Sequence, residues 1–141
     1  MVSWFQNWFK KPLNPISFDC LKTDMHSHLL PAIDDGASCL EESINMIKGL
    51  HELGYQKIIT TPHVMSDFYQ NTPDIIFSVL EKVRLELQAQ KIDIKLEAAA
   101  EYYLDYEFER KINTGTLLTF SDNYILVETS FVQALVEACK S

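Results

Sequence analysis

His26 and His28, which are separated by one serine, have the spacing in this chain that most directly suggests chemistry. They follow the run Leu21–Met25, and if that run forms a strand, side-chain alternation turns both imidazoles to the same side. The pair could then share one metal ion, since neutral imidazole with carboxylate suits manganese, iron or zinc, whereas calcium and magnesium prefer oxygen ligands. An isolated His-x-His pair is nevertheless more often a coincidence of surface or core than a pair of ligands.

Three more potential ligands stand at the ends of later β-rich runs. They are His63 after Lys57–Thr61, Glu101 after Ile94–Ala100, and Glu128 after Tyr124–Val127. Alone, each is readily explained as a loop histidine or a solvated carboxylate. Together they indicate a site, because the carboxyl ends of parallel strands meet where α/β proteins build their sites. Their joint placement predicts a centre in which two ions clamp a phosphate and supply hydroxide for in-line attack.

Helical patterns separate these runs. Ser38 and Glu41 form a predicted capping box, and Thr72 is a good N-cap with Pro73 at the first helical position. Gly115 is typical of a helix C-terminus. The predicted helices cover about 39–53, about 73–90, 105 to about 113, and 132–139.

Alternation of strand and helix predicts an α/β fold built from about four βα units with parallel strands. Four units do not close a barrel of seven or eight strands, so the sheet would keep two unpaired edges. We therefore expect residues 20–141 to be only part of a β/α barrel. Such an open half barrel is expected to associate or to unfold.

The first 19 residues form a separate segment of aromatic and basic character. It is either a short interfacial or partner-docking segment, or a tail that covers an exposed edge of the domain. Its characteristic residues are Trp4, Phe5, Trp8, Phe9, Lys10 and Lys11.

Charge and composition exclude several classes of function. A formal net charge of −8 gives no electrostatic footprint for nucleic acid, so an anionic substrate would need local cations. Three widely spaced cysteines suggest neither a disulfide framework nor a zinc knuckle, and a reducing cytoplasm fits them best. No apolar run is long enough for a membrane helix. Neither Cys20 nor Cys39 begins the Cys-x5-Arg loop of a cysteine phosphatase, and no glycine-rich phosphate cradle is present.

Several other polar residues have structural explanations. His51 falls on the surface of the first helix, and Tyr102 and Tyr103 are expected to pack against the loop after the third strand. Arg84 and Arg110 lie in predicted helices. We interpret four acidic residues as turn, cap and solvated-face residues, namely Asp34, Glu41, Glu42 and Glu52.

Three segments together resemble the polymerase and histidinol phosphatase (PHP) family. They are residues 24–36 (DMHSHLLPAIDDG), 60–63 (TTPH) and 99–105 (AAEYYLD). More narrowly, they are similar to its manganese-dependent bacterial protein tyrosine phosphatases, which act in capsule and exopolysaccharide regulation. The resemblance covers about residues 20–131, and its three motifs occur in the family's order.

This resemblance implies that residues 20–141 are the N-terminal portion of a distorted β/α barrel, with a cluster of two or three metal ions, Mn²⁺ foremost and Fe or Zn as alternatives. It implies that His26 and His28 bind one ion, that Asp35 and His63 serve another, and that Glu101 and Glu128 bridge or complete the cluster. Asp35 and His63 are then the expected catalytic residues. The implied reaction is hydrolysis of phosphotyrosine by metal-activated hydroxide, and the implied partner is a phosphotyrosine protein such as an exopolysaccharide-regulating tyrosine kinase.

Two other functions stay open from the sequence. The chain could be a truncated, catalytically inactive remnant or a partner-docking fragment, because the family's later histidine and Asp-x-His ligands have no counterpart before Ser141. It could also keep the metal site and act on another phosphoester, such as histidinol phosphate or a nucleic acid 3′ end.

Overall fold

A computed structural model describes residues 20–121 and 123–129 of the chain. The predicted N-terminal segment 1–19 and the predicted helix 132–139 lie outside these residues. In the described part, the model has no helix with the length and apolar character needed to cross a bilayer.

Strands and helices alternate in the described residues, and every ladder between the strands is parallel, which confirms the predicted α/β class. The elements in chain order are β1 (Thr23–Asp24), α1 (Leu40–Glu52), β2 (Lys57–Thr60), β3 (His63–Val64), α2 (Pro73–Ala89), β4 (Lys95–Ala98), β5 (Glu101–Tyr103), α3 (Tyr106–Thr114) and β6 (Leu126–Glu128).

The expectation of one continuous sheet is wrong for residues 20–121 and 123–129, whose strands form two three-stranded sheets of order β1-β2-β4 and β3-β5-β6. The break falls at Pro62, which has no N–H to donate to a ladder. Backbone hydrogen bonds still cross this break. The Ala99 N–H donates to the Thr60 carbonyl at 2.9 Å, and the Glu101 N–H donates to the Pro62 carbonyl at 3.0 Å. Consequently β2 and β3 follow one another along the same path, as do β4 and β5.

Strand limits also differ from the prediction. β1 is two residues long, so His26 and His28 lie in an extended segment beyond it, and not at its end. The third predicted strand, Ile94–Ala100, corresponds to β4 alone, and a further strand β5 begins at Glu101, which was predicted to follow a strand and not to begin one. The fourth begins at Leu126, two residues later than predicted, while Tyr124 pairs in an isolated antiparallel bridge with Phe120.

Of the three helices in the described residues, α2 and α3 have a cap at the residue that the sequence predicts, and α1 does not. Thr72 caps α2 by accepting the Ile75 N–H at 3.3 Å, and Gly115 ends α3 in the left-handed region with φ of 65°, as predicted. The predicted capping box of α1 does not form. Cys39 is the N-cap residue and makes no side-chain cap bond, while Ser38 bonds to the Glu42 carboxylate.

The hydrophobic core lies between the helices and the first sheet. One face of α2 is buried at helical spacing, and it packs on β4 and on α1. Ile58 in β2 and Leu96 in β4 cover it from the sheet. Among the side chains with almost no exposure are Leu29, Leu30, Ile47, Ile58, Ile76, Leu80 and Val83. The segment that carries His28 therefore runs directly into the core.

Candidate metal centre

The six side chains predicted as metal ligands converge in one cluster. Parallel pairing of β3 with β5 sets His63 opposite Glu101, and Glu128 ends the neighbouring strand β6. Three overlapping groups result, and in each group the potential ligand atoms lie within 4.8 Å of one another. The groups are His26 with His28 and Glu101, His28 with Asp35 and His63, and His63 with Glu101 and Glu128.

Glu101 is at the centre of this cluster. Its Oε2 atom lies 3.1 Å from His28 Nε2, 3.3 Å from His26 Nε2 and 3.5 Å from His63 Nδ1. Only 8% of its side chain is exposed. A single carboxylate oxygen within reach of three imidazole nitrogens is an arrangement that a bound cation would stabilise, since buried charges are usually paired or coordinate metals.

Asp35 and Glu128 form the exposed rim of the cluster. Asp35 Oδ1 lies 3.5 Å from His63 Nε2, and Glu128 Oε2 lies 3.7 Å from His63 Nδ1. Their side chains are 62% and 42% exposed, against 12% for His63. Each ring nitrogen of His63 therefore faces a different carboxylate at the open side of the site.

The chemistry of this donor set fits a divalent transition metal. Three imidazoles and three carboxylates offer the mixed nitrogen and oxygen ligands that manganese, iron and zinc accept. His63 Nδ1 is buried and makes no hydrogen bond within the described residues, although Glu101 Oε2 is 3.5 Å away. Because a buried polar nitrogen without a hydrogen bond is costly, a metal ion would be a suitable partner for it.

Hydrogen bonds hold the backbone around His28 in place. The Leu29 N–H donates to Thr60 Oγ1 at 3.1 Å, and the Thr60 hydroxyl donates to the Ser27 carbonyl at 2.7 Å. The Ser43 hydroxyl of α1 donates to the Leu29 carbonyl. These buried bonds attach the histidine segment to both β2 and α1, so the imidazole of His28 is carried on a rigid support.

Gly36 closes the loop that brings the two aspartates back to His28. A Cβ atom added at Gly36 would lie 2.1 Å from the His28 carbonyl oxygen and 2.5 Å from His28 Cβ. The adjacent Ala37 N–H donates to that same carbonyl at 3.1 Å. Glycine is therefore required here by close approach of the backbone to a predicted ligand.

We expect Gly36→Ala to destabilise the fold by about 1–3 kcal/mol, the cost of overpacking a closed site. Gly49→Ala is the matched control, since a Cβ there meets nothing within 4 Å and α1 gains helix propensity of about 0.5–1 kcal/mol. Urea denaturation of both variants measures the difference. Equal stability of the two variants would contradict this explanation of Gly36.

Asp34 belongs to the candidate site by its contacts, which the sequence interpretation missed. It is a turn residue, as predicted, because its Oδ1 accepts the Gly36 N–H at 3.0 Å. Its Oδ2, however, accepts from His28 Nδ1 at 2.8 Å and from the His63 N–H at 3.1 Å. The side chain has no exposed surface. The only sequence signal was its place in the motif beside Asp35, and the letters alone do not show which aspartate turns inward.

The pKa values of this pair reflect their contact. The hydrogen bond with Asp34 raises the pKa of His28 above its ordinary value against the effect of burial, and the negative charges of Asp34, Glu101 and Asp35 add to the rise. Burial alone would raise the pKa of Asp34, but its hydrogen bonds with His28 and with the N–H groups of Gly36 and His63 together lower it. The Asp34 carboxyl is therefore ionised at neutral pH.

Two residues of the loop after β3 were also missed. The ring of Tyr69 stacks on that of His63, with centroids 5.6 Å apart and planes 10° from parallel. Asn71 is buried, and its Nδ2 donates to the His63 carbonyl at 2.8 Å and to the Ile33 carbonyl at 2.9 Å. The loop thus supports His63, and no periodic or motif signal indicated this.

The residues given structural explanations have structural contacts. Arg84 donates to the Leu96 carbonyl, Arg110 pairs with Glu107 in α3, and exposed His51 bonds the Tyr55 carbonyl at 3.2 Å. The Tyr102 hydroxyl accepts the Leu118 N–H at 2.6 Å, so it contacts the loop after α3 and not, as was predicted, the loop directly after the third strand.

Comparison with known proteins gives consistent relatives. YwqE, a tyrosine-protein phosphatase of Bacillus subtilis, is 32% identical over 109 residues, which are 77% of this chain and 43% of the relative. CpsB, a tyrosine-protein phosphatase of Streptococcus agalactiae, is 27% identical over 108 residues, which are 76% of this chain and 44% of the relative. This chain therefore spans less than half the length of these curated relatives.

A solved structure agrees with these sequence matches. The matched chain belongs to the crystal structures of YwqE from Bacillus subtilis and CpsB from Streptococcus pneumoniae, which are described as metal-dependent tyrosine phosphatases. It is 32% identical, covers 77% of this chain and 44% of its own, and superposes with a TM-score of 0.70. The family model described as "Capsular polysaccharide synthesis, CpsB/CapC" matches residues 22–138. These findings confirm the resemblance that the motifs indicated, and the chain belongs to the CpsB/CapC family.

Proposed function

We propose that the cluster binds two or three divalent metal ions, with Mn²⁺ preferred, and that the chain takes part in hydrolysis of phosphotyrosine in proteins. One observation carries this proposal: Glu101 Oε2 lies within 3.1 to 3.5 Å of three imidazole nitrogens. The names of the relatives as tyrosine phosphatases support the reaction. The proposed ligands are His26, His28, Asp35, His63, Glu101 and Glu128.

Bound ions would supply Lewis-acid charge to the phosphoryl group and make water acidic enough to provide the nucleophile. The chain's own side chains divide the remaining work. Buried Glu101 holds the centre together, while Asp35 lies where the cluster opens to solvent and would meet a substrate, with Nε2 of the largely buried His63 3.5 Å from its Oδ1. We assign the catalytic roles to Asp35 and His63 for this reason.

The charge of the chain bears on how a phosphate would be held. Net charge is −8, and both arginines bond elsewhere, Arg84 to Leu96 and Arg110 to Glu107. Neither arginine is thus directed at the cluster, where bound metal ions would themselves supply positive charge for a phosphate. We propose a phosphotyrosine protein, such as an exopolysaccharide-regulating tyrosine kinase, as the partner, and the cytoplasm as its location, where the exposed free thiols of Cys20 and Cys39 would stay reduced.

Phosphate release from a phosphotyrosine peptide, with and without Mn²⁺, tests the proposal. Matched phosphoserine peptide and histidinol phosphate are the comparison substrates. We expect turnover that requires the metal and favours phosphotyrosine. If histidinol phosphate is hydrolysed in preference to the peptide, the proposed substrate class is wrong. If the chain binds metal but hydrolyses none of these substrates, only the metal-binding part of the proposal stands.

The Asp35→Asn variant tests the role of the exposed carboxylate. We expect turnover to fall by about 100-fold or more, the typical scale for loss of a positioned acid or base. Asp67→Asn is the control, because Asp67 is an exposed carboxylate in the neighbouring loop and belongs to none of the three ligand groups. If both variants turn over like the parent chain, Asp35 has no catalytic role.

A further inference from the structure

Asp34 contacts two histidine-bearing segments of the proposed metal centre through one oxygen. Its Oδ2 accepts from the His28 ring at 2.8 Å and from the His63 backbone at 3.1 Å, 29 residues further along the chain. Its Oδ1 accepts from the Gly36 backbone. A side chain with no exposed surface and three hydrogen bonds has a fixed orientation, so it can also fix the groups that it contacts.

The contact with His28 determines which ring nitrogen carries hydrogen. Both oxygens of Asp34 accept backbone N–H groups, Oδ2 from His63 and Oδ1 from Gly36, so the side chain is an acceptor and His28 Nδ1 is the N–H donor at 2.8 Å. In the neutral ring the lone pair then belongs to Nε2, which lies 3.1 Å from Glu101 Oε2. That nitrogen is the one directed at the centre of the cluster.

The same contact limits which nitrogen His28 can offer to a metal. His28 occurs in one ligand group with His26 and Glu101 and in another with Asp35 and His63. Its Nδ1 lies 3.9 Å from Asp35 Oδ1, but that nitrogen is occupied by Asp34. Nε2 is therefore the nitrogen left for a metal, and it lies 3.1 Å from Glu101 Oε2, the oxygen that is also 3.3 Å from His26 Nε2.

We propose that Asp34 is a positioning residue that holds His28 in the Nδ1–H tautomer, so that Nε2 binds metal together with His26 and Glu101. This inference rests on the proposed metal centre, but the tautomer itself is a property of the metal-free chain. Loss of the carboxylate that hydrogen-bonds to a metal-binding histidine typically lowers metal affinity by about 10–100-fold.

The first experiment needs no variant and no metal. Long-range proton–nitrogen correlation spectra of the metal-free chain, recorded at a pH where His28 is neutral, report which nitrogen of its ring is protonated. We expect the Nδ1–H form for His28. An Nε2–H form would overturn the inference, whether or not the chain binds metal.

The second experiment uses Asp34→Asn, which removes the negative charge and replaces one of the two acceptor oxygens by an N–H donor, so that His28, His63 and Gly36 can no longer all donate to this side chain. We expect the Nδ1–H form of His28 to lose population and Mn²⁺ affinity, measured by calorimetry, to fall about 10–100-fold. Asp105→Asn is the matched control, since Asp105 also accepts backbone N–H groups, from Ser66 and Glu107, but contacts no imidazole.

The outcomes separate this inference from the proposed function. If the parent chain binds no metal but His28 is in the Nδ1–H form, the positioning role holds and the metal centre fails. If the parent chain binds Mn²⁺ and Asp34→Asn binds it equally well, the positioning role fails. Should Asp34→Asn not fold, as judged by circular dichroism, the tautomer of the parent chain remains decisive.

Discussion

Replacement of Glu101 by glutamine is expected to lower the affinity of the chain for Mn²⁺ by more than about 100-fold. Loss of a residue that only hydrogen-bonds to a metal ligand lowers metal affinity by about 10–100-fold. Glu101 should matter more, because it is itself a member of two of the three ligand groups. Glutamine has the same shape but no negative charge, so the cluster loses its central anion while β5 keeps its pairing. Titration with Mn²⁺, followed by the electron paramagnetic resonance signal of the free ion, measures the change.

Glu97→Gln is the matched control for this substitution. Glu97 lies in the neighbouring strand β4, and its carboxylate pairs with Lys57 at 2.7 Å and with Lys95 at 2.6 Å, outside the cluster. We expect this variant to bind Mn²⁺ like the parent chain. If Glu101→Gln and Glu97→Gln bind the metal equally, Glu101 is not a ligand.

Lowering the pH is expected to weaken Mn²⁺ binding by at least about 30-fold between about pH 8 and about pH 5. A histidine must lose its proton before it binds a metal, so affinity falls about tenfold for each pH unit below its pKa. The contact with Asp34 raises the pKa of His28 above about 6.5, the ordinary value, which places the loss within this range. Titrations at a series of pH values provide the measurement.

Stability of the metal-free chain should change with pH in the opposite sense. Because the pKa of His28 is raised on folding, its protonated form stabilises the fold. That contribution is fully present below about pH 6.5 and is lost as the pH rises through the raised pKa. His28→Gln should remove this dependence from urea denaturation curves, and His51→Gln, on the exposed face of α1, should not. An unchanged pH dependence in His28→Gln would contradict the contact with Asp34.

Helix α2 shows which parts of the fold the sequence determines locally. Thr72 and Pro73 begin it, and its buried positions Ile76, Leu80 and Val83 repeat at helical spacing, so both its limits and its inward face could be predicted. The N-terminal cap of α1 could not be predicted in this way. Whether Ser38 bonds to Glu41 or to Glu42 depends on how the preceding loop turns, which is not a local property of the helix.

The division of the sheet was beyond prediction for a related reason. The sequence predicts one strand over Lys57–Thr61 that ends at Pro62 and another over Ile94–Ala100, and no signal marks His63–Val64 or Glu101–Tyr103 as further strands. The break arises because Pro62 lacks an N–H in the ladder. The position of Pro62 relative to Ala99 and Glu101 depends on the register between strands that are distant in the sequence.

The candidate site was predictable where strand ends carry it. His63, Glu101 and Glu128 follow or end β-rich runs, and their convergence follows from the parallel arrangement. Asp35 came only from the family resemblance. Asp34 was misjudged because two adjacent aspartates look alike in sequence, and closure of the loop over Gly36 decides which of them faces His28.

Crystals of the chain grown with Mn²⁺, with diffraction recorded on both sides of the manganese absorption edge, test the metal centre most directly. The anomalous difference map should contain peaks within bonding distance of Glu101 Oε2, with His28 Nε2 and a nitrogen of His63 as neighbouring ligands. Manganese peaks confined to other parts of the molecule, or no peak at these atoms in crystals that hold the metal, would contradict the proposed centre.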